Sequence, residues 1–160
     1  MKIPKATALY ETWLGQQIPL IAEDLDEKHE KMGKTAFEFL RATYYRWAQE
    51  WPRLCPETVE APAVLAVGDL HVENFGTWRD AEGRLVWGIN DFDEASELPY
   101  TSDLVRLAAS ARLAVAEGEA VEAILEGYQD GLGAGARPLV LAERNDAVRR
   151  MAAENPKGWA

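Results

Sequence analysis

Four of the eight prolines, Pro19, Pro52, Pro56 and Pro62, decide where the first part of this chain can be helical. Proline has no amide hydrogen and its ring clashes with the preceding turn, so a helix kinks or stops there. Leu9 and Trp13 mark a short helix before Pro19, and Ile21, Leu25, His29 and Met32 recur at helical spacing after it. Thr35 with Glu38 three residues on has the form of a capping box. Phe37, Leu40, Tyr44, Trp47, Ala48 and Trp51 then share one stripe of a helix that Pro52 and Pro56 should end. Residues 52–62 are proline-rich and read as an extended, stiff connector.

Beyond Pro62 the pattern changes. Ala63 to Val67 is a short apolar run stopped by Gly68, as expected of a buried strand ending at a loop. Phe75 to Trp78 and Leu85 to Ile89 flank Asp80-Ala81-Glu82-Gly83, which predicts a β-hairpin with glycine at a position of positive φ. Helical stripes return at Leu104, Leu107, Ala108, Ala111 and Val115, closed by Gly118, and at Val121, Ile124, Leu125, Tyr128 and Leu132. Gly131, Gly133 and Gly135 punctuate the loop before a last helix expected over Leu139 to Ala153. The result is one mostly helical α+β domain over residues 1–160, with helices in 1–51, a strand, loop and hairpin in 63–95, and helices in 101–153. A length of 160 residues with 48% hydrophobic and 28% charged side chains suits a single core.

Charge narrows the partners. With 27 acidic against 17 basic residues the net charge is -10, which repels a phosphate backbone and argues against nucleic acid. The basic residues are scattered, so no polybasic patch draws the chain to a membrane surface. No apolar run approaches the roughly 20 residues needed to span a bilayer, and Met1-Lys2-Ile3-Pro4-Lys5 lacks a signal peptide's apolar stretch, so a cytoplasmic protein is expected. The single cysteine, Cys55, has no internal disulfide partner and no evident activating base. Small molecules and metal cations remain as ligands, and the oligomeric state stays open.

Two loops around the short β region are dense in oxygen-bearing side chains: Gly68-Asp69-Leu70-His71-Val72-Glu73-Asn74-Phe75-Gly76 and Ile89-Asn90-Asp91-Phe92-Asp93-Glu94. Asp-Leu-x-x-x-Asn is the spacing of a protein-kinase catalytic loop, and Asp-Phe after a strand matches the start of the metal-binding Asp-Phe-Gly, with Asp93 in place of the glycine. Phosphoryl transfer needs a carboxylate to orient the attacking hydroxyl and accept its proton, and Asp69 suits that role. It also needs hard oxygen ligands for Mg²⁺, and Asn74 and Asp91 suit that one. His71 is a candidate for orienting the loop by hydrogen bonding, and Glu73 for simple solvation.

Gly68, Asp69, Leu70, His71 and Asn74 resemble the Gly-Asp-Leu-His-x-x-Asn catalytic loop of aminoglycoside phosphotransferases and related small-molecule kinases. Asp91 is similar to their downstream metal-binding aspartate, and Asp103 to the aspartate at a following helix start. A wider string resembles an uncharacterised bacterial domain-of-unknown-function family with kinase-like motifs. It runs from Lys31-Met32 and Phe37 to Arg41, through both loops, to Asp103-Leu104-Val105-Arg106-Leu107-Ala108-Ala109-Ser110. The resemblance implies the catalytic lobe of a kinase-like fold, Mg²⁺ and ATP as cofactors, and a hydroxyl of a small molecule as acceptor. Residues before Asp69 read as helices and hold no Gly-x-Gly-x-x-Gly, so the nucleotide lobe is not found upstream. Relatives in the resembling family are longer, with a Gly-Ser-Val-Gly-like stretch and a lysine motif downstream. The expectation is therefore a fragment or a shortened member, binding ATP weakly on its own.

Each of Asp69, Asn74 and Asp91 alone would read as a loop cap; the shared spacing favours a site. Asp103 reads first as a helix-start carboxylate that also braces the loop, with Asp93 beside it in a supporting role. Arg41 reads as an ion-paired or solvated arginine within reach of a phosphate. His29 reads as a packed histidine, and the aromatic stripe as core. Two other functions fit the same residues: a metal-dependent phosphoesterase using Asp69, His71 and Asp91 as metal ligands, and a non-enzymatic kinase-like module that binds a partner protein.

Overall fold

Thr43 splits the longest expected helix in two. In the computed structural model, which describes residues 1–114, 119–135 and 137–144, the first helices are α1 (Ile3–Gln17) and α2 (Ala22–Met32), on either side of Pro19. Thr35 accepts from the Glu38 amide at 3.1 Å and starts α3 (Ala36–Ala42), while its hydroxyl donates to the Glu38 carboxylate at 3.0 Å. The Thr43 hydroxyl donates to Phe39 O at 2.6 Å, and its backbone (φ -128°, ψ 39°) leaves the helical region. This local side-chain bond competes with helix continuation, and α4 (Tyr44–Leu54) begins afresh. Pro52 sits inside the last turn of α4 rather than ending it, and Pro56–Thr58 forms a 3₁₀ turn within the expected extended connector.

The strand β1 (Ala63–Ala66) pairs antiparallel with an unexpected strand, β4 (Ser96–Pro99), Ala66 facing Ser96. A two-stranded ribbon covers little surface, so Leu65 stays 81% exposed and only Ala66 is buried, against the expected buried strand. The hairpin forms as expected from β2 (Phe75–Arg79) and β3 (Leu85–Ile89), with Gly83 at φ 77° in its turn. β3 also pairs with β5 (Leu139–Val140), so the expected last helix opens as a strand before the short α7 (Leu141–Arg144), and its remainder lies outside the described residues. The other helices are α5 (Thr101–Ala114) and α6 (Ala120–Gly133), the latter running through Gly131 and Gly133. Val115 and Gly118 lie outside the described residues.

The protein is a mostly helical α+β fold with two small antiparallel sheets. Its core cluster is Val67, Leu70 and Leu107, with Val72, Phe75, Ile89 and Ile124 packed against it. Val67 and Leu70 bracket Asp69, so the apolar residues of that loop are themselves core anchors. Across the domain, the Trp51 indole donates to Ser102 at 2.7 Å, tying α4 to the start of α5. Among the described residues no helix is long and apolar enough to cross a membrane.

Candidate active site

The loop after β1 is held on both sides. The Asp103 carboxylate accepts from the amides of Val67 at 2.7 Å and Gly68 at 3.0 Å, so it caps the loop from the first turn of α5. Gly68 turns at φ 90°, and a β-carbon there would collide with the carbonyl of Glu94. Only glycine lets the two loops approach this closely, and that approach puts residues 91–94 beside Asp69.

Asp69 is gripped from behind. Arg106, on α5 and 1% exposed, donates from Nε to Asp69 Oδ1 at 2.7 Å and from Nη2 to the same oxygen. Nη2 also donates to Leu40 O at 2.8 Å, while Tyr44 and Trp47 stack on the guanidinium with ring centroids 5.2 and 5.3 Å from Cζ. Both bonds fall on Oδ1, so Arg106 fixes the carboxylate and leaves Oδ2 unengaged by it. Burial pushes the Asp69 carboxyl above its ordinary range; Arg106 opposes that shift and the Asp91 charge adds to it.

Asp69 and Asp91 open onto one cavity of about 640 Å³, together with Glu94 and His71. Tyr10, Tyr44 and Tyr45 line it further, and α2 and α3 bring both signs of charge to it, Lys28, Lys31 and Arg41 beside Asp24, Glu27 and Glu38. Burial raises the Glu94 carboxyl, helped by Asp69 and Asp93. His71 is 6% exposed, and burial, with Arg41 and Arg106 nearby, pulls its pKa down to about 4, so it is neutral at pH 7.

The residues singled out from the sequence thus part ways. Asp69, Asp91, His71 and Arg41 share the cavity. Asn74, 3% exposed, is turned into its own loop, where Oδ1 accepts from the His71 amide at 2.9 Å, and it is not part of the lining. Asp93 is exposed, and its amide donates to Asp91 Oδ1 at 3.2 Å. Arg41 is ion-paired at 2.5 Å to Glu73, which sequence alone reads as merely solvated. His29 is exposed and pairs with Glu11 at 2.6 Å, so it ties α2 to α1 and is not packed. Tyr44 and Tyr45 border the cavity instead of filling the core.

Arg106 is the residue that motif reading passes over. Its signals in the sequence are its place beside Leu107 on α5 and within the string Asp103-Leu104-Val105-Arg106, neither of which names a role. Among the described residues no three His, Cys, Asp or Glu side chains come together as a metal cage. Of the donors on the cavity, Asp91 and the Asp69 oxygen that Arg106 does not engage suit Mg²⁺, which takes one or two carboxylates and keeps waters.

A model of a family of proteins conserved in bacteria, described as uncharacterised (DUF2252), matches residues 20–148. The chain belongs to that family. The DUF2252 match takes in both loops, α2 and α3, and Arg106, and leaves out the whole of α1 and with it Tyr10. No curated protein and no solved structure matches the chain.

Proposed function

We propose that this chain carries the hydroxyl-activating part of a phosphotransferase site, with Asp69 as proton acceptor and Asp91 as the principal carboxylate for Mg²⁺. The observation that carries the reading is the meeting of Asp69 and Asp91, from separate loops, on one cavity, with Asp69 clamped through a single oxygen by buried Arg106. The acceptor hydroxyl gives its proton to Asp69 Oδ2 as its oxygen bonds to phosphorus, and the bond from that phosphorus to the bridging oxygen of ATP breaks, releasing ADP. Arg106 holds the carboxylate still, which matters because positioning supplies most of phosphoryl-transfer catalysis. A raised carboxyl pKa makes Asp69 a better base once deprotonated, and the Arg106 charge opposes that rise by favouring the carboxylate. Mg²⁺, when bound, would offset the charge of the phosphates. Asn74 has a different part in this reading: it shapes the 3₁₀ turn Val72–Asn74 and so the path of the loop from Asp69 to β2.

Calorimetric titration with MgCl₂ should show weak binding that falls about tenfold in Asp91→Asn, since one of two carboxylate donors loses its charge. Phosphorus NMR with saturating Mg²⁺-ATP and pooled hydroxyl compounds should show only slow phosphoester formation, as weak ATP binding requires, and Asp69→Asn should abolish it. Equal Mg²⁺ binding by wild type and Asp91→Asn, or transfer undiminished in Asp69→Asn, would overturn the assignment.

A further inference from the structure

Lys28 is half-buried at the cavity and among the described residues has no carboxylate within ion-pair distance. Its Nζ lies 5.3 Å from the Tyr10 ring centroid and 6.0 Å from that of Tyr45, two rings stacked on each other at 4.3 Å. Ring faces attract an ammonium but do not neutralise it, and Glu94 feels its charge without pairing to it. The other two cations of this wall are loosely held. Lys31 pairs with Glu27 at 2.6 Å and Arg41 with Glu73 at 2.5 Å, in pairs whose side chains are all about half exposed. Exposed pairs of this kind contribute about 0–1 kcal/mol, so exchanging either carboxylate for a ligand anion costs little.

Building on the phosphotransfer reading, we propose that Lys28 and Lys31 of α2 and Arg41 of α3 form a phosphate-binding wall that holds the phosphate groups of a small phosphorylated ligand in the same cavity as Asp69 and Asp91. Three cations from two helices match the charge of a phosphate or diphosphate, whereas a single carboxylate ligand would need one. A planar guanidinium beside two ammonium groups is the usual equipment for phosphate oxygens. The cavity, about 640 Å³, falls in the range of small-molecule sites. Six carboxylates line the cavity too, Asp24, Glu27 and Glu38 on the same two helices and Asp69, Asp91 and Glu94 on the loops, and they repel an anion, so any phosphate that enters depends on these three cations. Phosphate binding thereby falls to the helical first third of the chain, where a kinase would use a glycine-rich loop and a strand lysine.

The test is calorimetry on the full chain at low salt without added metal, with inorganic pyrophosphate and ADP as probes. Wild type should bind pyrophosphate, Lys28→Met should bind it about five- to tenfold more weakly, and Lys28→Arg should recover most of the loss. Asp69→Asn should bind it no more weakly than wild type, since it removes a repelling charge. ADP binding equal to pyrophosphate would show that the phosphates alone are read, and tighter ADP binding that the phosphates are a nucleotide's; the wall stands in both. Pyrophosphate binding that is absent in wild type, or unchanged in a folded Lys28→Met, overturns it. Loss of the Asp91-dependent Mg²⁺ signal with Lys28-dependent anion binding intact would sink the phosphotransfer reading and leave the wall. The converse would sink the wall alone.

Discussion

Arg106 carries a charge to a position where 1% of its surface meets solvent, and the cost is met by Asp69, Leu40 O and two aromatic faces. Arg106→Met strands the Asp69 carboxylate and should cost about 3–5 kcal/mol in urea melts. Asp69→Asn keeps an oxygen for the guanidinium and should cost less, and Asp91→Asn should be near neutral or stabilising, because it thins a cluster of like charges. If Arg106→Met melts like wild type, the clamp is not what holds Asp69. His71 sets a pH dependence. Between pH 6.5 and about 4 the unfolded chain takes up a proton that the folded chain refuses, so this contribution is full above pH 6.5 and lost as pH falls towards 4. Asp69 and Glu94, raised in the folded state, run the other way and favour folding as pH falls through their folded values. Comparison with His71→Phe isolates the histidine: wild type should lose about 2 kcal/mol more than the variant between pH 7.5 and 5. Parallel pH profiles would mean that His71 is solvated in the folded state.

Among the elements, α5 does the most positioning, since Asp103, Arg106, Leu107 and Ser110 all reach the loop around Asp69 or its core. Leu107→Ala should cost about 2–5 kcal/mol, whereas Ile124→Ala on α6, only half-buried, should cost about 1–2 kcal/mol in the same melts. Asp103→Asn leaves one oxygen for two amides, and an orphaned amide costs about 1–3 kcal/mol. Equal melts for Leu107→Ala and Ile124→Ala would contradict this core. The helices and the hairpin were legible because each repeats its own period over several residues. β4 and β5 were not, because Ser96–Pro99 and Leu139–Val140 are too short to show alternation and owe their strand form to distant partners. The break at Thr43 rests on one side-chain bond that no periodicity reports. At the site, Asp69 and Asp91 were legible from spacing, but spacing does not tell a side chain facing a cavity from one folded into its own turn, which is the difference between Asp91 and Asn74.

Across the whole molecule, burial is uneven in a way that bears on the cavity. α5 contributes five buried residues and α2 none, while Leu9, Trp13 and Ile21 near α2 are more than half exposed. α2 is held to α1 by the exposed His29–Glu11 pair and by Lys28 on the Tyr10 and Tyr45 rings, contacts far weaker than core packing. Local opening follows the density of buried apolar contacts, so amide hydrogen exchange should be slowest in α5 and much faster in α2. The two candidate sites then sit on elements of different stability: Asp69 and Asp91 on loops near α5, the lysines on a helix that buries no residue. A ligand that binds only the folded form suppresses opening of the element it touches. Pyrophosphate should therefore slow exchange in α2 and around Arg41 while leaving residues 90–94 unchanged, and Mg²⁺ should do the reverse. The contrast needs no activity, only exchange read with each ligand in turn on the same protein. Protection by pyrophosphate spread evenly over α5 and α2 would mean that the anion stabilises the fold from somewhere other than this wall.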